Sequence, residues 1–132
     1  MFDLSTRILI VDDMVMVRKL ITKVCKEAGF NDFLEAANGA TAWEAITSSI
    51  PQVGIILSDW NMPSSTGLDL LKRVRGDSRT KSIPFIMITA EAQHDQIKEA
   101  VLHGVSNYLV KPFTKESLME KLEAIYAKQA TA

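Results

Sequence analysis

Five short apolar runs, at residues 7–11, 33–37, 53–59, 83–89 and 106–111, punctuate this chain, and a segment with helical periodicity follows each of them. The first run is apolar without alternation, the pattern of a strand buried on both faces. After it, Val17, Leu20, Ile21, Val24 and Ala28 keep helical spacing until Gly29, which supplies a stop. Asn38-Gly39 opens a second helix through about Ser49, with Trp43 and Ile46 on one face and Ile50-Pro51 at its end. A third helix spans 67–75, bounded by Gly76-Asp77, and a fourth spans 92–103, closed by Gly104. Thr114 is placed to cap a fifth helix, whose apolar positions are Leu118, Leu122, Ile125 and Tyr126. Five strand–helix units with short connections predict an α/β fold, a doubly wound parallel sheet with helices on both faces and right-handed crossovers.

At 132 residues the chain suits one domain, spanning 1–132, with no room for an output domain. A net charge of -1 gives no support to a nucleic-acid or membrane partner. No apolar stretch approaches the length of a membrane span, and residues 1–7 contain Asp3 and no apolar leader core. The single cysteine, Cys25, lies on the apolar stripe of the first helix, which reads as a buried reduced thiol in the cytoplasm.

The chemistry gathers at the ends of the apolar runs. Asp12-Asp13 directly follows the apolar residues 8–11, Asp59 follows 54–58, Thr89 follows 85–88 and Lys111-Pro112 follows 108–110. Strand ends in a parallel sheet meet along one edge, so three carboxylates, a hydroxyl and an ammonium would share a shallow crevice. Each residue alone has a plainer explanation. Asp12-Asp13 can cap a helix, proline can merely end a strand, and threonine is a good strand residue. Their conjunction is what points to a site. Clustered carboxylates repel one another and call for a cation. Oxygen donors without His or Cys favour Mg2+, which bridges carboxylate and phosphate, and Lys111 suits phosphate oxygens. The site is therefore read as one that places a phosphoryl group on an aspartate. Competing chemistries lack their residues. No Gly-rich dinucleotide turn or Walker loop follows the first strand, and no Gly-x-Ser-x-Gly elbow exists. His94 and His103, nine residues apart, read as exposed surface groups and not as a metal pair. The isomer of the Lys111-Pro112 bond stays open.

Val11-Asp12-Asp13, Ser58-Asp59-Trp60-Asn61-Met62-Pro63, Thr89-Ala90-Glu91-Ala92 and Tyr108-Leu109-Val110-Lys111-Pro112-Phe113-Thr114 resemble the motifs of receiver domains of two-component response regulators. Within that family the chain looks most like the single-domain chemotaxis type, on Trp60-Asn61, Glu91-Ala92 and Tyr108. The resemblance covers essentially the whole chain. It implies a flavodoxin-like sheet of order 2-1-3-4-5 with a site where strand order reverses, a rule for which this family is itself one of the standard examples. It also implies that Asp59 is the phosphoacceptor. Asp12, Asp13 and the backbone carbonyl of Asn61 would surround Mg2+, with Asp13 and Asp59 as direct ligands. Thr89 and Lys111 would contact the phosphoryl group, and Tyr108 would move inward when it arrives. Asn61 and Glu91 would tune its spontaneous loss. Three departures stand out: Thr66-Gly67 in place of the usual Asp-Gly, Met119 in place of an acidic residue, and His94 in place of a lysine. The first changes only a cap, whereas the other two bear on which partner is bound.

The expected function is signalling and not metabolic catalysis. The protein would take a phosphoryl group from a sensor histidine kinase and promote its own phosphorylation and dephosphorylation. As a cytoplasmic monomer it would then bind a target such as the flagellar motor switch, with a phosphatase as a further partner. The alternative is a phosphate sink or phosphorelay carrier with no motor-binding output. A metal-dependent phosphatase of small molecules would need a substrate pocket that the short loops do not provide.

Overall fold

A computed structural model describes residues 2–62, 65–90 and 94–131. Along the chain run β1 (Arg7–Val11), α1 (Val15–Glu27), β2 (Asp32–Ala36), α2 (Gly39–Ser48) and β3 (Ile55–Asp59). They are followed by α3 (Gly67–Arg75), β4 (Phe85–Thr89), α4 (His94–Leu102), β5 (Asn107–Val110) and α5 (Lys115–Thr131). All strand pairs are parallel, and the sheet order is β2-β1-β3-β4-β5, the doubly wound order expected. Strand β3 starts at Ile55 and not at 53, and β4 at Phe85 and not at 83. Pro84 has no N–H to give a ladder, although its carbonyl still accepts from the Ile56 N–H at 2.9 Å.

The apolar strands fail to alternate because both faces are covered. Leu9, Val11, Ile56, Phe85 and Met87 pack on one face with Ile46, Leu71 and Val74 of α2 and α3. Ile8, Ile10, Leu57, Ile86 and Ile88 pack on the other with Ile21 and Cys25 of α1 and Leu118, Leu122 and Ile125 of α5. Burying a side chain of this kind contributes about 1.5–3 kcal/mol relative to leaving it exposed. The Cys25 thiol is fully buried, and burial pushes its pKa up to about 12, so it is inert.

Helix ends follow the local chemistry. The Asn38 side chain accepts from the Thr41 N–H at 2.9 Å, and Thr66 forms a capping box with Asp69. The Thr114 hydroxyl accepts from the Ser117 N–H at 3.1 Å at the start of α5. Gly29 takes φ 106°, a conformation that costs residues with a side chain and not glycine.

Two helix positions differ from the periodic reading. Helical spacing places Leu20 on the apolar stripe of α1, yet it is 61% exposed, because Ile21 and Cys25 take the positions facing the sheet. Tyr126 is exposed at its edge, with its ring packed edge-to-face on Phe2 at 5.6 Å. His103 is exposed as expected, while the side chain of His94 lies outside the described residues.

Candidate functional site

Parallel pairing sets the strand ends in register. Val11 pairs with Ser58, Asp59 with Ile88, and Thr89 with Val110. Asp12, Asp59, Thr89 and Lys111 therefore emerge along one edge, which is the convergence the sequence predicted. Ligand oxygens of Asp12, Asp13 and Asp59 all lie within 4.8 Å of one another.

The three carboxylates have different surroundings. Asp12 is buried and both of its oxygens are engaged: Oδ1 accepts from the Met14 N–H at 2.9 Å, and Oδ2 accepts from Lys111 Nζ at 3.0 Å. Asp13 is exposed. Asp59 is mostly covered, and its Oδ1 lies 3.4 Å from Lys111 Nζ. Burial holds the Asp59 carboxyl above its ordinary pKa; the Lys111 charge opposes that shift and the Asp12 charge adds to it. Burial alone would lower the Lys111 pKa. The hydrogen bond to Asp12 and the charge of Asp59 more than reverse this, so the ammonium is held above the ordinary lysine value. Three carboxylates against one ammonium leave the group two charges negative. Arg18 does not balance it, because its Nε already pairs with Glu35 at 2.9 Å. A hard, all-oxygen donor set with that excess fits a divalent cation such as Mg2+.

Thr89 is buried, and among the described residues its Oγ1 has no hydrogen-bond partner. A buried hydroxyl left unpaired is costly, and such groups mark places where a ligand or a second conformation supplies the partner. Beside it lies a cavity of about 10 Å3, walled by Thr89, Tyr108, Trp60, Met87, Ile97 and Val105, with space for about one water. Tyr108 is half-buried there, and Lys121 Nζ stands 4.9 Å from its ring centroid. Asn61 is exposed and bridges Thr66 across the loop after β3. The Lys111–Pro112 bond is cis. Glu91, together with Ala92 and Pro63 of the motifs, lies outside the described residues.

Two supporting residues escaped the sequence reading. Arg18 donates to the Asp12 backbone carbonyl at 2.6 Å, so α1 anchors the strand end that carries the acidic pair. In sequence it is only one more polar residue on a helix. Gly67 read as a helix start, yet a Cβ there would overlap the Asp59 carbonyl oxygen and come within 2.8 Å of Met87 Sδ. Glycine is needed because α3 begins directly against the backbone of Asp59.

Residues 8–123 match the response regulator receiver domain family. The chain is 46% identical over 120 residues to the chemotaxis protein CheY of Pseudomonas aeruginosa, covering 91% of this chain and 95% of that protein. It is 44% identical over 119 residues to chemotaxis protein CheY1 of Helicobacter pylori, covering 90% and 95%. The structure of Vibrio cholerae chemotaxis protein CheY4 superposes with a TM-score of 0.83 at 31% identity, covering 92% of this chain and 98% of that one. A CheY-like receiver domain protein from Methanospirillum hungatei superposes equally well at 22% identity, a likeness that bears on fold alone.

Proposed function

Because the chain belongs to the response regulator receiver domain family, we propose that it accepts a phosphoryl group on Asp59 from the phosphohistidine of a sensor kinase and signals through the resulting change of surface. The observation that carries this reading is the cluster of Asp12, Asp13 and Asp59 around Lys111, at 3.0 and 3.4 Å from two of the three. Asp59 is the acceptor of choice, since both Asp12 oxygens are already engaged. Asp13 and Asp59, completed by Asp12 and the Asn61 carbonyl, would hold Mg2+. When bound, the cation offsets the charge on the acceptor carboxylate and on a phosphoryl oxygen.

An Asp59 carboxylate oxygen attacks phosphorus in line; the new O–P bond forms as the N–P bond of the phosphoimidazole breaks, and the imidazole leaves. Lys111 stands ready to exchange a carboxylate for a phosphoryl oxygen. Thr89 gains the acceptor that its buried hydroxyl lacks. The phosphoryl group adds about -1.5 to -2 charge, which local donors must meet. Drawing Thr89 toward it enlarges the cavity beside Tyr108, and the ring then moves in. Asn61 and Glu91 flank the path of attacking water and set the lifetime of the acyl phosphate.

The output is the surface of α4, β5 and α5, which changes when the acceptor is phosphorylated. Among the described residues no helix is long and apolar enough to cross a membrane, and the cytoplasm is the proposed compartment. Two relatives are named chemotaxis proteins, which supports a flagellar motor switch as the target. Met14, the N-cap of α1, and Met16 and Leu20 of the helix are exposed apolar residues, and a groove of Leu20, Ile21, Val24, Pro112 and Phe113 reaches Lys111. That groove gives the kinase an apolar place to rest beside Lys111.

The test is acetyl phosphate with Mg2+ and intact-mass spectrometry. Wild type gains one phosphoryl group and Asp59→Asn gains none. A normal single phosphorylation of the variant at another residue would overturn the assignment.

A further inference from the structure

We propose that Lys121 is a positioning residue for the switch, holding the Tyr108 ring in its resting conformer through a cation–π contact; this rests on the switch role given to Tyr108 above. The two residues belong to different elements, β5 and α5, and meet only in the folded protein. Lys121 Nζ lies 4.9 Å from the Tyr108 ring centroid, within the range where an ammonium is attracted to a ring face. Among the described residues no carboxylate pairs with Lys121 within salt-bridge distance, so the ring is not competing with an ion pair for the ammonium.

The same ring is a wall of the small cavity that also borders Thr89. Tyr108 thus borders both the Lys121 ammonium and this cavity. Inward movement of the ring, into space that a shift of Thr89 enlarges, draws it away from the ammonium, so the contact favours one of the two conformers only. A contact present in one state shifts the equilibrium by its whole strength. For a partly exposed pair that strength corresponds to roughly a two- to five-fold change in the conformer ratio. This is large enough to set the basal signal and too small to resist phosphorylation. Among the described residues Lys121 makes no hydrogen bond or ion pair to the carboxylates or the proposed metal ligands, so the latch acts on output and not on phosphoryl transfer.

The experiment uses the full chain with ring-labelled tyrosine and Tyr126→Phe as background, so that NMR reports Tyr108 alone. Spectra are taken with Mg2+, with and without beryllofluoride as the acyl-phosphate mimic. In Lys121→Gln the ratio of the activated to the resting Tyr108 conformer without beryllofluoride rises about two- to five-fold, and Lys121→Arg, which keeps a cation over the ring, restores the wild-type ratio. If beryllofluoride shifts the wild-type ring while Lys121→Gln leaves its resting ratio unchanged, the latch is wrong and the switch stands. If Lys121→Arg shifts the ratio as far as glutamine does, the effect is packing and not charge, and the latch again fails. If the wild-type ring does not respond to beryllofluoride, the switch reading fails and the latch with it.

Discussion

Gly39 and Gly67 are each the first residue of a helix, α2 and α3, and the same substitution to alanine should have opposite effects at the two positions. Helix propensity favours alanine over glycine by up to about 1 kcal/mol, less at a helix start than in its interior. At Gly39 the nearest atom to a new Cβ is Ser65 Oγ at 2.7 Å, the end of a side chain that turns away at little cost. At Gly67 the nearest atom is the Asp59 carbonyl oxygen, which is backbone and cannot turn away. The Gly67 N–H donates to the Trp60 carbonyl at 2.8 Å, and the Trp60 N–H to Ile88 at 3.1 Å, so helix start and strand end are tied together. Overpacking of this kind costs about 1–3 kcal/mol, so Gly67→Ala is destabilised by a net 1–2 kcal/mol or so after the propensity gain. Thermal melting should show a fall of roughly 4–8 °C for Gly67→Ala, and for Gly39→Ala no change or a small rise. The shift at Gly67 also reaches function, because moving the Asp59 backbone moves its carboxylate. A displacement near 1 Å at a reacting group costs up to about 100-fold in rate, so acetyl phosphate labelling of Gly67→Ala should slow markedly while that of Gly39→Ala does not. Equal melting temperatures for the two variants would refute the reasoning.

The raised pKa of Asp59 makes the metal-free native state bind more protons than the unfolded chain between the ordinary carboxyl value of 3.8 and the folded value. Its contribution therefore falls as pH rises through that window and stays unfavourable above it; in EDTA, Asp59→Asn should melt above wild type at pH 7, with the gap closing as pH drops through that window. Thr80 is buried and donates to the Val74 carbonyl at 2.7 Å, so Thr80→Val should cost about 1–3 kcal/mol in urea unfolding, without affecting phosphorylation. Lys111→Arg should retain some phosphorylation by acetyl phosphate yet blunt the beryllofluoride response of Tyr108, because a planar guanidinium cannot reproduce single-point ammonium contacts; a wild-type response would reduce the lysine to background charge. Tyr108→Ala should be phosphorylated at nearly the wild-type rate and lose phosphorylation-dependent binding to a purified flagellar switch peptide by calorimetry; equal enhancement in both proteins would remove Tyr108 from the switch, and no enhancement in wild type would favour the sink.

Much of this protein is legible in one dimension. Parallel strands covered on both faces are apolar at consecutive positions, as Ile8–Val11 show, and covered helices keep a 3.6-residue period, so the order of elements can be read directly. Strand ends in a parallel sheet share one edge, so the positions of Asp12, Asp59, Thr89 and Lys111 along the chain suffice to group them. Tertiary packing decided the rest. Leu20 and Ile21 are equally apolar neighbours, and only the rotation of α1 on the sheet decides that one is exposed and the other buried. That Lys111 bonds Asp12 more closely than Asp59 depends on how strand ends stagger. The Gly67 contact with Asp59 and the Lys121 ammonium over Tyr108 each join residues from different elements, and only packing leaves the Thr89 hydroxyl without a partner among the described residues. Periodicity reports which face a residue occupies on its own element; it carries no information about the atom that meets it from another.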